Sequence, residues 1–132
     1  VTSGANAFGQ KAGAEALLAD LGPTKEMKIA FEERKKLVVE LLSKIPGFNI
    51  NNPKGAFYIF PDISTYFGKQ FNGRTIYNSI DFAEFLLHEA HVAVVGGAAF
   101  GAVNNIRISY AASTDQLIEA MKRIKDACGK LH

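Results

Sequence analysis

The fold of this chain is decided by one stretch near its end, which reads Ala93-Val-Val-Gly-Gly-Ala-Ala-Phe-Gly-Ala-Val-Asn-Asn-Ile-Arg-Ile-Ser-Tyr-Ala-Ala-Ser113. Its pattern predicts a strand, a glycine-rich turn, a second strand and the start of a helix. In the second strand Ile106, Ile108 and Tyr110 alternate with polar residues, and successive side chains of a strand point to opposite faces of a sheet. Arg107 therefore lies on the more polar face.

A strand that holds an arginine rigidly is well suited to bind a carboxylate. The planar guanidinium of Arg107 can donate two parallel, charge-assisted hydrogen bonds, and the strand fixes their direction. The alternative is an ordinary surface ion pair, which is common for strand arginines and contributes little to stability. Spacing alone favours the ion pair.

The composition indicates one globular domain over residues 1–132, with 48% hydrophobic residues, 21% charged residues and a net charge of +2. No basic run is interleaved with aromatic residues, so nucleic acid is not an expected partner. The longest nearly apolar run, residues 92–103, is too short to cross a bilayer, so we expect no membrane partner. The single cysteine cannot form an internal disulfide, which favours the cytoplasm. The chain starts at Val1 rather than at a methionine, as a piece of a longer protein or a processed product would.

Hydrophobic periodicity and capping residues predict an α/β fold, of the α+β two-layer kind. Helices pack on one face of a small, mostly antiparallel or mixed sheet, and Arg107 lies on the other face. Residues 64–78 lack a regular pattern, which is typical of a mobile loop that can carry function. Two predicted helices span 7–21 and 24–45. Two more begin at capping boxes, one of Asp81 with Glu84 and the other of Ser113 with Gln116. The predicted strands span 48–50, 56–60, 92–95 and 106–110.

The sequence offers no catalytic residue and no metal ligands. Its eleven lysines lie mostly on predicted helix faces or in turns, without the desolvation or neighbouring cation that makes a Schiff-base lysine neutral. His88 and His91 are one residue too close for the His-Glu-x-x-His zinc pattern. The glycine-rich segment 96–101 is not followed by the Lys-Ser/Thr of a phosphate-binding P-loop. Binding, rather than bond-breaking, is therefore the chemistry that the residues predict.

Three segments together resemble the class I/II aminotransferases, which are pyridoxal-phosphate enzymes of the aspartate aminotransferase superfamily. Residues 92–101 with 106–113 are similar to the C-terminal signature of that family. Lys54-Gly-Ala-Phe-Tyr-Ile-Phe-Pro-Asp62 resembles its strand before the small-domain helix, and residues 2–12 resemble the start of its interdomain helix. The resemblance covers essentially the whole chain, although Gly96 stands where the family usually has proline.

The resemblance implies that this chain is the C-terminal small domain of such an enzyme, with residues 1–22 in the interdomain helix. It implies that Arg107 binds the substrate α-carboxylate, that Phe57 lies near that carboxylate, and that Thr2 and Ser3 approach a homodimer interface. The ligands of pyridoxal 5'-phosphate would belong to a large domain outside this chain, so the isolated chain would be inactive. The substrates would be an amino acid, with aspartate as the default, and a 2-oxo acid. The alternative is a non-catalytic α/β module in which Arg107 holds an amino acid or an oxo acid.

Overall fold

The computed structural model of the chain describes residues 3–132, so Thr2 lies outside the described residues. Two compact units are distinguished, the first ending at Ala30 and the second running from Phe31 to His132. The assignment of residues 1–22 to an interdomain helix stays a prediction. No helix within residues 3–132 is both long and apolar enough to cross a membrane.

Two helices make up the N-terminal part of the chain. Helix α1 spans Ala7–Leu18, and the side chain of Asn6 caps it by accepting a hydrogen bond from Gly9 N–H at 2.6 Å. The predicted extension to residue 21 is wrong, because Ala19 is already extended. Gly22 begins helix α2, Gly22–Ser43, instead of ending α1. Proline at position 23 is tolerated there, since the first turn of a helix needs no N–H from it.

The second unit contains a three-stranded antiparallel sheet with the order β1-β5-β4. Its strands are β1, Tyr58–Ile59; β4, Val95–Gly96; and β5, Ile106–Ser109. Tyr58 pairs with Ser109, and Val95 pairs with Arg107. All three strands are shorter than predicted. The strand predicted at 48–50 is reduced to a single bridge between Asn49 and Asp62.

Residues 64–78 contain regular elements, so the prediction of a stretch without regular structure is wrong, whereas its functional role stays a prediction. They contain a 3-10 turn at Ser64–Tyr66 and a hairpin of β2, Gln70–Phe71, with β3, Arg74–Thr75. The buried side chains of Tyr66 and Ile76 attach this segment to the core. Sequence periodicity could not find strands of two residues.

Two further helices cover the sheet. Helix α3, Ser79–Phe85, continues as a π-helical turn at Leu86–Ala90, and helix α4 spans Thr114–Cys128. The predicted cap of α3 is wrong, because Asn78 and not Asp81 accepts the first free N–H groups. The capping box of Ser113 with Gln116 is confirmed.

The core confirms the predicted alternation of β5 and the fold class. Ile106, Ile108 and Tyr110 are buried, whereas Arg107 is half-buried and Ser109 exposed. Helix α4 buries one face towards the core, with Leu117, Met121, Ile124, Ala127 and Cys128 buried and Ile118 exposed. The fold is thus a two-layer α/β arrangement with an antiparallel sheet.

Candidate functional site

Arg107 projects from the centre of the sheet, on the face opposite to the core. Two aromatic rings contact its guanidinium: the carbon Cζ lies 4.6 Å from the Phe100 ring centroid and 5.5 Å from that of Tyr58. Both distances are within the range of cation–π attraction. Phe100 is 50% exposed and Tyr58 38% exposed, so the site is open on its outer side.

No carboxylate neutralises Arg107 in the described structure. The ion pairs found within residues 3–132 join Lys44 to Glu40, Arg123 to Glu119 and Lys130 to Glu89. None of the side-chain hydrogen bonds of that region is donated by the Arg107 guanidinium. The ordinary surface ion pair, which spacing alone favoured, is therefore not formed.

Phe57 lies next to this site rather than against the guanidinium. Its ring is 51% exposed and meets the Tyr58 ring edge-on, with the centroids 5.6 Å apart. Phe57 also accepts a backbone hydrogen bond from Tyr110 N–H at 2.8 Å. The two residues that the resemblance singled out are thus linked through Tyr58.

The backbone that leads into β1 is held in an unusual conformation. Ala56 has φ = 61°, in the left-handed region that residues other than glycine seldom adopt. The buried hydroxyl of Tyr110 donates a hydrogen bond to the Ala56 carbonyl at 3.0 Å, and burial raises the pKa of that hydroxyl. The tyrosine therefore stays protonated as a donor and fixes the backbone that carries Phe57 and Tyr58.

A tight 3-10 turn, Gly97–Phe100, carries the second ring. Gly97 N–H donates to the carbonyl of Asn105 at 2.6 Å, and the Asn105 side chain donates to the carbonyl of Phe60 at 3.0 Å. Asn105 thus joins the turn before β5 to the chain that leaves β1. The Phe100 ring also packs edge-on against Phe60, with the centroids 6.0 Å apart.

Two grooves of the described structure lie away from Arg107. The larger one, about 670 Å³, runs between the β2–β3 hairpin and α3, and includes Phe71, Tyr77 and His88. A second groove, about 580 Å³, follows α4 and β5 and includes Ser109 and Met121. Arg107 lines neither groove. A ligand bound to Arg107 would therefore stay in contact with solvent unless another surface covered it.

The histidines do not form a metal site in this part of the chain. Residues 3–132 contain no group of three or more His, Cys, Asp or Glu residues placed to hold a metal ion. His88 is exposed in the π-helical turn, and His91 follows that turn in a left-handed conformation with φ = 53°.

The sequence profile of the family "Aminotransferase class I and II" matches residues 1–124. The chain belongs to this family. It is 50% identical, over 102 residues, to a probable aspartate/prephenate aminotransferase of Aquifex aeolicus, and that match covers 77% of this chain and 24% of the relative.

Solved structures give the same result. An aspartate aminotransferase from Rhizobium meliloti superposes with a TM-score of 0.89 at 42% identity, over 93% of this chain and 31% of its own. An aromatic aminotransferase from Pyrococcus horikoshii superposes with a TM-score of 0.79 at 39% identity, over 91% of this chain and 30% of its own. The chain therefore spans about a quarter to a third of the length of these relatives.

The family implies dependence on pyridoxal phosphate, but the described residues do not fit that cofactor. Every lysine is exposed or half-buried. A Schiff-base lysine needs desolvation or a neighbouring cation to become neutral. Lys69, one of the half-buried lysines, has its side-chain nitrogen 5.8 Å from the ring centroid of Tyr66. No step of the chemistry can therefore be assigned to a cofactor held by these residues.

Two features of the site were not predicted from sequence. One is the pair of rings on Arg107, and the other is the strained backbone at Ala56. The first carries no local signal, because Tyr58 and Phe100 are brought to β5 by strand pairings that span about 10 to 50 residues of sequence. The left-handed backbone at Ala56 carries no such signal either. A sequence pattern would place a left-handed residue at the neighbouring glycine, Gly55, rather than at an alanine.

Proposed function

We propose that this chain is the substrate-carboxylate-binding part of a pyridoxal-phosphate-dependent aminotransferase. The enzyme would transfer an amino group between an amino acid and a 2-oxo acid, with aspartate as the default donor. Arg107 would bind the substrate carboxylate, and Phe57 would line the approach to it. The observation that carries this proposal is the state of the Arg107 guanidinium. Two aromatic rings contact it, and no carboxylate of the described residues forms an ion pair with it.

The openness of the site supports a further part of the proposal. An ion pair in open water is worth only about 0–1 kcal/mol, because solvent competes for both charges. A carboxylate on Arg107 would bind usefully only under a cover that excludes water. We therefore propose that residues 1–132 are the C-terminal small domain of a homodimeric enzyme, with residues 1–22 in the interdomain helix. A large domain would supply both the cover and the pyridoxal phosphate ligands. The unpaired cysteine favours the cytoplasm as its compartment.

The first check is the coding region upstream of residue 1. We expect an in-frame domain that contains the Schiff-base lysine. A start codon at this position would instead favour the non-catalytic module that binds an amino acid or an oxo acid.

The decisive test is Arg107→Leu in the complete enzyme. Removing one partner of a desolvated charge pair costs about 2–5 kcal/mol, so kcat/KM should fall at least about thirtyfold, at about 1.4 kcal/mol per tenfold. We expect KM to rise and kcat to fall together, because the carboxylate anchor also aligns the reacting bond. Arg123→Leu is the matched control, since Arg123 is bound to Glu119 on the exposed face of α4. A value of kcat/KM within twofold of the unaltered enzyme would contradict the role of Arg107.

The chain by itself should transaminate nothing. Pure chain incubated with pyridoxal phosphate, an amino acid and a 2-oxo acid should give no product above the protein-free reaction. Turnover by the pure chain would contradict the proposal that the cofactor ligands lie outside it.

A further inference from the structure

The two rings on Arg107 come from opposite sides of strand β5. Tyr58 belongs to β1, which neighbours β5 on one side, and Phe100 belongs to the turn that follows β4 on the other. We propose that Tyr58 and Phe100 are positioning residues, which hold the Arg107 guanidinium in its binding orientation before a carboxylate arrives. This inference rests on the proposed function of Arg107.

The chemistry of the contact explains why rings suit this task. A carboxylate partner would also hold an arginine, but it would occupy the N–H fork that a ligand needs. An aromatic ring attracts the cation through its electron-rich face and accepts none of the fork's conventional hydrogen bonds. With Cζ 4.6 Å and 5.5 Å from the two ring centroids, Arg107 is attracted from two directions and keeps its donors.

Both rings are themselves held in place. Tyr58 is fixed by the pairing of its backbone with Ser109 and by the edge of the Phe57 ring. Phe100 packs on Phe60, and its turn is closed by the hydrogen bond from Gly97 N–H to Asn105. The guanidinium is thus oriented by a framework that needs no ligand, which reduces the ordering cost of binding.

The rings also differ in how firmly the backbone holds them. Tyr58 sits within a paired strand, whereas Phe100 sits in a 3-10 turn that ends at the left-handed Gly101. Phe100 is also closer to the cation than Tyr58 is. Because the Phe100 ring is the closer of the two, its removal should release Arg107 more than removal of the more firmly held Tyr58 ring.

The test is a nitrogen-15 NMR measurement of the arginine Nε–H groups in the 132-residue chain, which contains four arginines. We expect the Arg107 signal to show an order parameter typical of a rigid backbone, about 0.8, and to fall below about 0.6 in Phe100→Leu and in Tyr58→Leu. Tyr58→Phe keeps the ring and should keep the order. Tyr77→Leu removes an exposed ring from the distant groove and is the matched control. An Arg107 signal that stays equally ordered without either ring would overturn the proposal.

A titration of the complete enzyme, in which the cover over Arg107 is present, separates this proposal from the function on which it rests; pyruvate is compared with sodium chloride at equal ionic strength. We expect pyruvate to shift the Arg107 Nε–H signal, and either leucine variant to weaken the apparent affinity about two- to fivefold, as the loss of one cation–π contact allows. If pyruvate shifts no Arg107 signal, the carboxylate-binding role fails, while the order parameters still decide whether the rings position Arg107. If pyruvate binds but both leucine variants bind it equally well, the positioning role fails and the carboxylate role stands.

Discussion

Gly97→Ala tests the turn that carries Phe100, because Gly97 is enclosed by backbone. A Cβ atom at this position would lie 2.2 Å from the carbonyl oxygen of Ala102 and 2.3 Å from that of Asn105. Real Cβ contacts are essentially never below 3.0 Å, so each oxygen would have to move by roughly 0.7 Å or more. Neither atom is the end of a flexible side chain, and the backbone itself must therefore shift.

The size of the effect follows from what those oxygens bind. The Ala102 carbonyl accepts from Asn105 N–H at 3.0 Å, and the Asn105 carbonyl accepts from Gly97 N–H at 2.6 Å. Overpacking lowers the free energy of unfolding by about 1–3 kcal/mol. Each lost hydrogen bond lowers it by about 0.5–1.5 kcal/mol more. We expect Gly97→Ala to lower the free energy of unfolding by about 2–6 kcal/mol, a large share of the roughly 5–15 kcal/mol of a typical domain.

Urea unfolding followed by circular dichroism measures this loss, with Gly101→Ala as the control. Gly101 has φ = +75° and nothing within 4 Å of its Cβ position. Gly101→Ala should therefore lower the free energy of unfolding only through the left-handed backbone, by about 1 kcal/mol. The two variants carry the same chemical change four residues apart. If Gly97→Ala costs no more than Gly101→Ala, the reasoning from the backbone contacts is wrong.

Three further predictions concern stability and are measured by the same unfolding experiment. Gly96→Pro should stabilise the chain by about 0.5 kcal/mol, because Gly96 has φ = −61° and faces Ile106 at a position where its N–H is not needed by β5; a loss of stability would show that the Ser79 carbonyl oxygen, 3.2 Å from the added Cβ, and the Ile80 side chain, at 3.3 Å, cannot move aside. Ala56→Gly should stabilise by up to about 1 kcal/mol by relieving the left-handed backbone, and a decrease would mean that this backbone is not strained. Burial raises the pKa of the Cys128 thiol from about 9 to about 11, so the folded state keeps a proton that the unfolded state releases. The resulting contribution to stability, on the order of 3 kcal/mol, is present below pH 9 and lost as the pH rises to 11. Cys128→Ala should flatten that decline, and an unchanged slope would exclude the thiol as its source.

The sequence predicted those parts of the fold that depend on contacts between residues close to one another in sequence. The alternation of β5 and the capping box of Ser113 with Gln116 are set by residues within a few positions of one another, and both are confirmed. Asn78, not Asp81, caps α3, because the helix already begins at Ser79 and the Asp81 carboxylate accepts from Tyr77 N–H instead. The hairpin within residues 64–78 escaped prediction because two-residue strands carry no period and are stabilised by tertiary packing of Tyr66 and Ile76.

The candidate site was predicted in part, for the same physical reason. The polar face of β5 follows from alternation, and so does the outward direction of Arg107. Its ring neighbours depend on the pairing of β5 with β1 and β4, whose partners are about 10 to 50 residues apart in sequence. Register over such distances is fixed by the packed core and not by local pattern. The functional roles of Arg107 and Phe57 stay predictions.

The shortness of the outer strands has a consequence for how this chain behaves in a crowded solution. Both edges of the three-stranded sheet, β1 and β4, are only two residues long. An exposed strand edge is a template on which a second chain can add its own strand, and short edges are one way in which natural proteins avoid such association. An incoming strand would gain too few hydrogen bonds here to offset its loss of freedom. Edge-to-edge fibre growth from this sheet should therefore be unfavourable, even though its outer face carries exposed aromatic rings.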